Sequence, residues 1–275
     1  MSSLTWLASY PKSGNTWVRV FLENYDATND SPVDINRLSI RNAADLVWFD
    51  RCGPLEPTEF TSDELATFRP GLFRELARSA DAPLSLKVHD AWSRVPGGEA
   101  LFPPDVTRVV IYVVRNPLDI APSVSRHFGM SLDGAVDALC RDWSLVSATQ
   151  CEQRLGTWSH HVMSWLNDSG LPLCLLRFED LLEDPRVEFA RVLAASGRPV
   201  EGPRLERAIE RSRFEALQAQ ERHFDFRERP QYSTGSFFAT GTSGGWRTVL
   251  SDAQVGRIVD AHGSVMRRLR YLAPL

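Results

Sequence analysis

The sequence predicts an α/β protein of three layers, with helices on both faces of a mostly parallel central sheet. Two observations carry this expectation. Short β-branched or apolar runs alternate with longer segments of helical period along the 275-residue chain. The strongest run, RVVIYVV at residues 108–114, is apolar at both alternating sets of positions, as a parallel strand covered on both faces must be. No repeat and no linker divides the chain, so one domain is expected over residues 1–275.

Each element follows from its local pattern. Residues 5–9 read as a short strand, 10–15 as a tight polar loop, and 16–25 as a helix. Residues 28–60 are rich in Asn, Asp, Pro and Gly and read as an irregular excursion. Residues 62–79 carry Leu65, Phe68, Leu72 and Leu76 at helical spacing, with Ser62 as the cap. Residues 84–88 read as a buried strand. Helices are expected over 116–128, 132–150 and 155–167, a further central strand over 173–178, and helices over 186–196 and 203–220. Residues 224–247, with Gly, Ser, Thr and aromatics but little periodicity, read as a long functional loop. Ser251 or Asp252 caps a last helix that ends near Leu269.

Composition narrows the function. The formal net charge of −4 and a pI near 5.9 argue against a broad basic face, and so against nucleic-acid binding. No apolar run approaches the roughly 18–20 residues that span a bilayer, so no membrane partner is expected. The first fifteen residues lack the basic start and long apolar stretch of a signal peptide. Four cysteines (Cys52, Cys140, Cys151, Cys174) lie far apart with no CxxC, unlike a disulfide framework or a zinc site. A cytoplasmic protein without a metal is the expectation. Lys and Arg total 31, yet only Lys12 and Lys87 are lysines. A mobile ammonium differs physically from a planar guanidinium, which makes those two positions candidates for chemistry.

Lys12 sits in a loop that feeds a helix N-terminus. Such a loop presents free backbone N–H groups and the positive end of the helix dipole, an anion site suited to phosphate. Gly14 lets the backbone approach the anion, Lys12 adds a mobile charge, and Asn15 and Thr16 offer side-chain donors. The spacing is not that of a Walker A loop, because Lys12 precedes the glycine. The run YPKSGNTW at residues 10–17 resembles the 5′-phosphosulfate loop of the cytosolic-type sulfotransferases, usually YPKSGTTW, with Asn15 the one departure. The resemblance implies a P-loop-like α/β fold. It implies transfer of a sulfuryl group from 3′-phosphoadenosine 5′-phosphosulfate (PAPS) to a hydroxyl or amine, leaving the bisphosphate PAP. It also implies that Lys12, Ser13, Gly14, Asn15, Thr16 and Trp17 contact the nucleotide.

Other segments extend the match. Arg115 ends the strongest strand, and Ser123 follows eight residues on. A guanidinium fork and a hydroxyl there can grip a second phosphate, and both match the family's 3′-phosphate segment. In LKVH, residues 86–89, strand alternation puts Lys87 and His89 on one face. The segment is similar to the family's K-T-H stretch, which makes His89 the implied general base, with Lys12 and Lys87 stabilising charge on the transferring group. The other histidines, His127, His160, His161, His223 and His262, read as ordinary core or surface side chains. Ser212 and Phe214 resemble the family's nucleotide contact, with Phe214 against adenine opposite Trp17, although Phe214 reads equally well as the core face of a helix.

Three departures stand out. Phe178 replaces a family tyrosine in RFED, residues 177–180. At residues 237–247 the family's Arg-Lys pair is Ala239-Thr240, which leaves Thr240 and the Gly241 amide to hold the 3′-phosphate, with Arg227 or Arg229 as candidate compensating charges. The dimer motif after Trp246 is poorly kept, so a homodimer stays open. Residues 28–60, 90–104 and 224–245 are expected to surround the acceptor. Their aromatics, Trp48, Phe49, Trp92, Phe224, Phe226, Tyr232, Phe237 and Phe238, suggest an aromatic-lined pocket or core beneath long loops. Bacterial relatives that sulfate natural products look similar in the first loop, and an Arg-rich composition fits a GC-rich genome, so a small-molecule or natural-product acceptor is expected. The competing classes are a non-catalytic protein that binds adenosine 3′,5′-bisphosphate and an ATP-dependent small-molecule kinase.

Overall fold

Strand β1 (Leu4–Ser9) is buried along its whole length, with Leu4, Trp6 and Ala8 on one face and Leu7 on the other. The computed structural model describes residues 3–51 and 59–273, and in it β1 lies inside a four-stranded parallel sheet of order β2-β1-β3-β6. Its partners are β2 (Leu84–Val88), β3 (Thr107–Val114) and, beyond β3, β6 (Leu173–Arg177). Trp6 pairs with Leu86 on one side and Val110 on the other, a register that brings the C-terminal ends of β1, β2 and β3 together.

Two cores flank this sheet and make the three layers. On one face Trp6, Val88, Val110 and Tyr112 pack against α2 (Ser62–Ser79), α3 (Pro117–Phe128), α4 (Leu132–Cys140), α5 (Trp158–Met163) and α10 (Asp252–Arg268). Trp6 meets Phe73 and Phe102 edge-on at 4.9 and 5.1 Å. Burying each such side chain contributes about 2–3 kcal/mol. On the other face Leu7, Ile111, Val113 and Leu176 pack against α1 (Asn15–Asp26), α7 (Pro185–Ala195) and α8 (Gly202–Arg211). Two more helices are α6 (Phe178–Glu183) and α9 (Phe214–Phe224).

Several expectations need correction. The cap of α2 is Thr61, not Ser62. The Thr61 side chain accepts from the Glu64 amide and the Glu64 carboxylate closes the reciprocal bond, a capping box. The helix expected over 132–150 stops at Cys140. An antiparallel hairpin follows, β4 (Ser144–Ser147) and β5 (Gln150–Arg154). Strand β6 is an edge strand among the described strands, not a central one. The helix expected over 203–220 is two helices, α8 and α9, parted at Ser212-Arg213. The helix expected over 155–167 is α5 continued by a wider π turn, Ser164–Asp168. Cys140, Cys151 and Cys174 are free thiols, and Cys52 lies outside the described residues. Among the described residues no helix is long and apolar enough to cross a membrane.

Candidate active site

The chain turns from β1 into α1 through a left-handed Lys12 (φ 67°) and a left-handed Gly14 (φ 105°). A Cβ on Gly14 would lie 2.7 Å from the Phe178 ring, so the loop takes glycine there for space as well as for φ. No side chain caps the start of α1, which leaves the first backbone N–H groups of the helix facing the loop. Asn15 departs from its expected role. Its Nδ2 donates to the Leu7 carbonyl (2.8 Å) and to Ser9 Oγ (3.2 Å), so the side chain ties down the end of β1 and offers an anion only its backbone amide.

This loop forms one side of a cavity of about 810 Å³ at the C-terminal edge of the sheet. Lys12, Gly14, Asn15, Thr16, Trp17, Lys87, His89, Arg115, Ser123, Phe214, Thr240 and Gly241 all line it. Ser13 and Ser212 do not: both are fully buried, and Ser212 Oγ donates to the Ile209 carbonyl at the end of α8. Trp17 and Phe214 face the same space, and a Cβ on Gly241 would lie 2.4 Å from the Phe214 ring, so that backbone rests directly on the aromatic.

Arg115, just beyond β3, donates to the Lys12 carbonyl (3.2 Å) and to the Thr242 carbonyl (2.9 Å), and its guanidinium stacks 4.3 Å from the Phe178 ring centre. Phe178 thus gives up the family's hydroxyl but serves as a shelf for Arg115 and Gly14. The long loop after α9 is held over the cavity by two carboxylates. Glu221 accepts from the Phe237 and Phe238 amides (2.6 and 2.9 Å), and Asp119 accepts from the Gly244 and Trp246 amides (2.9 and 3.2 Å).

His89 leaves β2 with Nδ1 2.8 Å from the Ser9 carbonyl. A carbonyl only accepts, so Nδ1 carries the proton and Nε2 keeps a bare lone pair. Behind it, His161 Nε2 donates to the His89 carbonyl (3.0 Å), and the Tyr112 hydroxyl donates to His161 Nδ1 (2.7 Å). Burial, reinforced by the Lys87 charge, holds the His89 imidazole well below the usual histidine range, so it is neutral and able to accept a proton. Burial, with the Lys87 and Arg115 charges, brings the Lys12 ammonium down to about 7. That ammonium lies 3.5 Å from the Phe237 ring centre and 3.5 Å from His127 Nδ1.

Three charged residues and one histidine of the site escape sequence reasoning. Glu228 bridges Arg19 (2.7 Å) and Lys87 (3.0 Å) inside the cavity, and those two cations hold its carboxyl well below the usual range although burial alone would raise it. Arg126, three residues after Ser123 on α3, lines the cavity with no ion-pair partner among the described residues. Of the two candidate compensating arginines, Arg227 lines the cavity, whereas Arg229 pairs with Asp225 at 2.8 Å. His127, read from the sequence as an ordinary side chain, also lines the cavity. One signal was available for Arg126: a helical step of three from Ser123 places it on the same face.

The acceptor side differs from the aromatic-lined expectation. Trp48 and Phe49 belong to the core and Trp92 packs against it. Phe224 is exposed and Phe226 is buried under the loop. Only Tyr232, Phe237 and Phe238 of that set line the cavity, together with polar side chains from residues 36–45 and from the β4–β5 hairpin and with the apolar Leu38, Leu145 and Val146. Among the described residues no group of three or more His, Cys, Asp or Glu is placed to hold a metal ion.

A family model described as a sulfotransferase domain matches residues 3–270. Sulfotransferase 1A1 of Bos taurus is 26% identical over 261 residues, covering 93% of this chain and 80% of its own. Sulfotransferase 1A1 of Canis lupus familiaris is 27% identical over 252 residues, covering 90% and 78%. Among solved structures, retinol dehydratase in complex with androsterone and inactive cofactor PAP superposes with a TM-score of 0.64 at 16% identity, covering 96% of this chain and 80% of that one. Mouse sulfotransferase SULT7A1 complexed with PAP gives 0.62 at 16%, covering 96% and 85%. The three-layer fold is the fold of these structures.

Proposed function

The chain belongs to the sulfotransferase family and is a PAPS-dependent sulfotransferase, and from that premise we propose that it sulfates a hydroxyl (or amine) of a small-molecule acceptor by in-line transfer with His89 as general base. The observation that carries the reading is the bare Nε2 of a neutral His89 in the same cavity as Lys12, Lys87 and Arg115. The residues present fit an adenosine bisphosphate. Lys12, Lys87, Arg115, Arg126 and Arg227 all line one cavity, and Arg115 Nε is a buried donor with no partner among the described residues.

Each residue then has a task. The N-terminus of α1 and Lys12 receive the 5′-phosphosulfate end. Arg115 and Ser123 grip the 3′-phosphate. The Gly241 amide and the Thr240 hydroxyl are helped there by Arg126 and Arg227, which stand in for the absent Arg-Lys pair. Trp17 and Phe214 sandwich the adenine. The donor supplies the sulfuryl group, whose bond to the 5′-phosphate oxygen breaks as the acceptor oxygen bonds to sulfur, the electron pair leaving on the phosphate. His89 Nε2 takes the acceptor's proton, and the Ser9 carbonyl steadies the ring while it is charged. Lys12 neutralises the charge that grows on the leaving oxygen, and Lys87, released from Glu228, orients the sulfuryl oxygens.

The test is transfer of labelled sulfate from PAPS, read together with PAP binding by calorimetry. His89→Gln should lower kcat by about 10²–10⁴ while PAP affinity stays within about twofold. A variant that retains the wild-type rate would remove His89 from the chemistry.

A further inference from the structure

Beside Leu145 and Val146, the cavity lining from residues 42–45 and the β4–β5 hairpin carries three amides and a carboxylate. Asn42 Nδ2 donates to Gln153 Oε1 (3.1 Å), Gln153 Nε2 to Gln150 Oε1 (3.1 Å), and Gln150 Nε2 to Asp45 Oδ1 (2.8 Å). All four side chains line the cavity, yet Gln153 is only 2% exposed and Asn42 only 6%. Each of the three amide nitrogens has two hydrogens and spends one in this chain; Asn42 Oδ1 accepts from the Ala44 amide (3.0 Å) and Asp45 Oδ2 from Arg41 Nε (3.5 Å), and each carboxylate oxygen keeps a further lone pair. The wall therefore faces the cavity with both donors and acceptors left over.

The backbone holds this wall firmly. Lys87 N donates to the Arg41 carbonyl and Ala43 N to the Lys87 carbonyl, both at 2.8 Å, so residues 41–43 run beside the end of β2 that delivers His89. Cys151 N donates to the Ala44 carbonyl (2.8 Å) and Leu46 N to the Thr149 carbonyl (3.0 Å), which fastens the β4–β5 hairpin to the same segment. Tyr232, Phe237 and Phe128 line the same cavity.

We propose that the acceptor is a polyhydroxylated molecule, a glycoside whose ring hydroxyls bond to Asn42, Asp45, Gln150 and Gln153 while its C–H face rests on the aromatics of the same cavity; this rests on the sulfuryl-transfer reading above. Hydroxyls donate and accept at once, which matches a wall offering both. A purely hydrocarbon or aryl acceptor would strip water from these amides and return nothing, and an unmade buried hydrogen bond costs more than a made one contributes. One ring hydroxyl, presented to His89 Nε2, loses its proton there as its oxygen bonds to the sulfur of PAPS.

The experiment measures sulfate transfer from labelled PAPS to methyl glycosides of glucose, galactose, mannose and xylose. Cyclohexylmethanol and 4-nitrophenol serve as acceptors without ring hydroxyls, and PAP binding is measured on the same samples. At least one glycoside should exceed both controls in kcat/KM by on the order of tenfold. Asp45→Asn and Gln150→Leu should each raise the KM for that glycoside by a similar factor, with PAP affinity and control turnover unchanged. Better turnover of a control than of every glycoside overturns the proposal, as do wall variants that affect both acceptor types alike. Failure to bind PAP would instead strike the sulfotransferase reading beneath it.

Discussion

Lys12 joins a backbone constraint to a charge constraint. Its left-handed φ of 67° is uncommon for a side chain with a Cβ and is held by Arg115, which donates to its carbonyl, and by Gly14 two residues on. Its ammonium is brought to about 7 by burial and by the Lys87 and Arg115 charges. An anion bound beside it favours the charged form and restores a higher value. Between about pH 7 and that higher value the complex therefore holds more protons than the free protein. PAP binding near pH 8 should take up a proton, seen as a dependence of the calorimetric enthalpy on buffer ionisation heat. Lys12→Arg, always charged, should abolish that uptake. Lys12, Lys87 and His89 were legible in the sequence because each sits in a short local motif at a strand end. Glu228 and Arg19 were not, because residues 209 apart meet only once the long loop closes over α1.

At the scale of elements, the junction between α2 and the end of β2 is fixed by a buried ion pair. Arg69 donates to Asp90 through both terminal nitrogens at 2.9 Å, with both side chains almost fully buried, and Trp165 Nε1 donates to the Asp90 carbonyl at 3.1 Å. Asp90 directly follows His89, so the pair sets where the imidazole emerges. Removing one partner strands the other charge in the core. Arg69→Met should lower stability by about 3–5 kcal/mol in urea unfolding, and adding Asp90→Asn should recover part of that loss. Recovery of nothing would mean the cost lies in packing and not in the stranded carboxylate. The β4–β5 hairpin shows where local pattern fails. Leu139, Trp143, Leu145 and Val146 continue an apolar rhythm past Cys140 with no Gly or Pro to interrupt it. Pairing with residues 44–46 and 91, far away in sequence, makes the segment extended and defines the polar wall. Strands β1 and β3 were readable because burial on both faces writes itself into composition, whereas β6 looks central by the same criterion and lies at the edge among the described strands.

For the whole molecule, burial of neutral histidines links stability to pH. His161 is fully buried between Tyr112 and the His89 carbonyl, and His262 is 2% exposed beside Ser159. Burial lowers the first to about 3 and the second to about 4, from an ordinary value near 6.5 in the unfolded chain. Above about pH 6.5 both are neutral in either state, and the folded protein keeps its full stability. As pH falls through that value the unfolded chain binds protons that the folded one refuses. Each histidine then removes about 1.4 kcal/mol per pH unit, so the pair removes about 3 kcal/mol per unit until the folded values are reached. His89 and His127 are lowered as well and act in the same direction. Against a typical total of about 5–15 kcal/mol, this predicts unfolding between roughly pH 5 and 4, before most carboxylates have titrated. Urea midpoints at pH 7.5, 6 and 5 should fall steeply only below 6.5, and His262→Asn should flatten the acid limb by about one proton. A midpoint that stays level from pH 7.5 to 5 would mean that these imidazoles reach solvent in the folded protein, and with them the hydrogen-bonded chain that holds His89 in place.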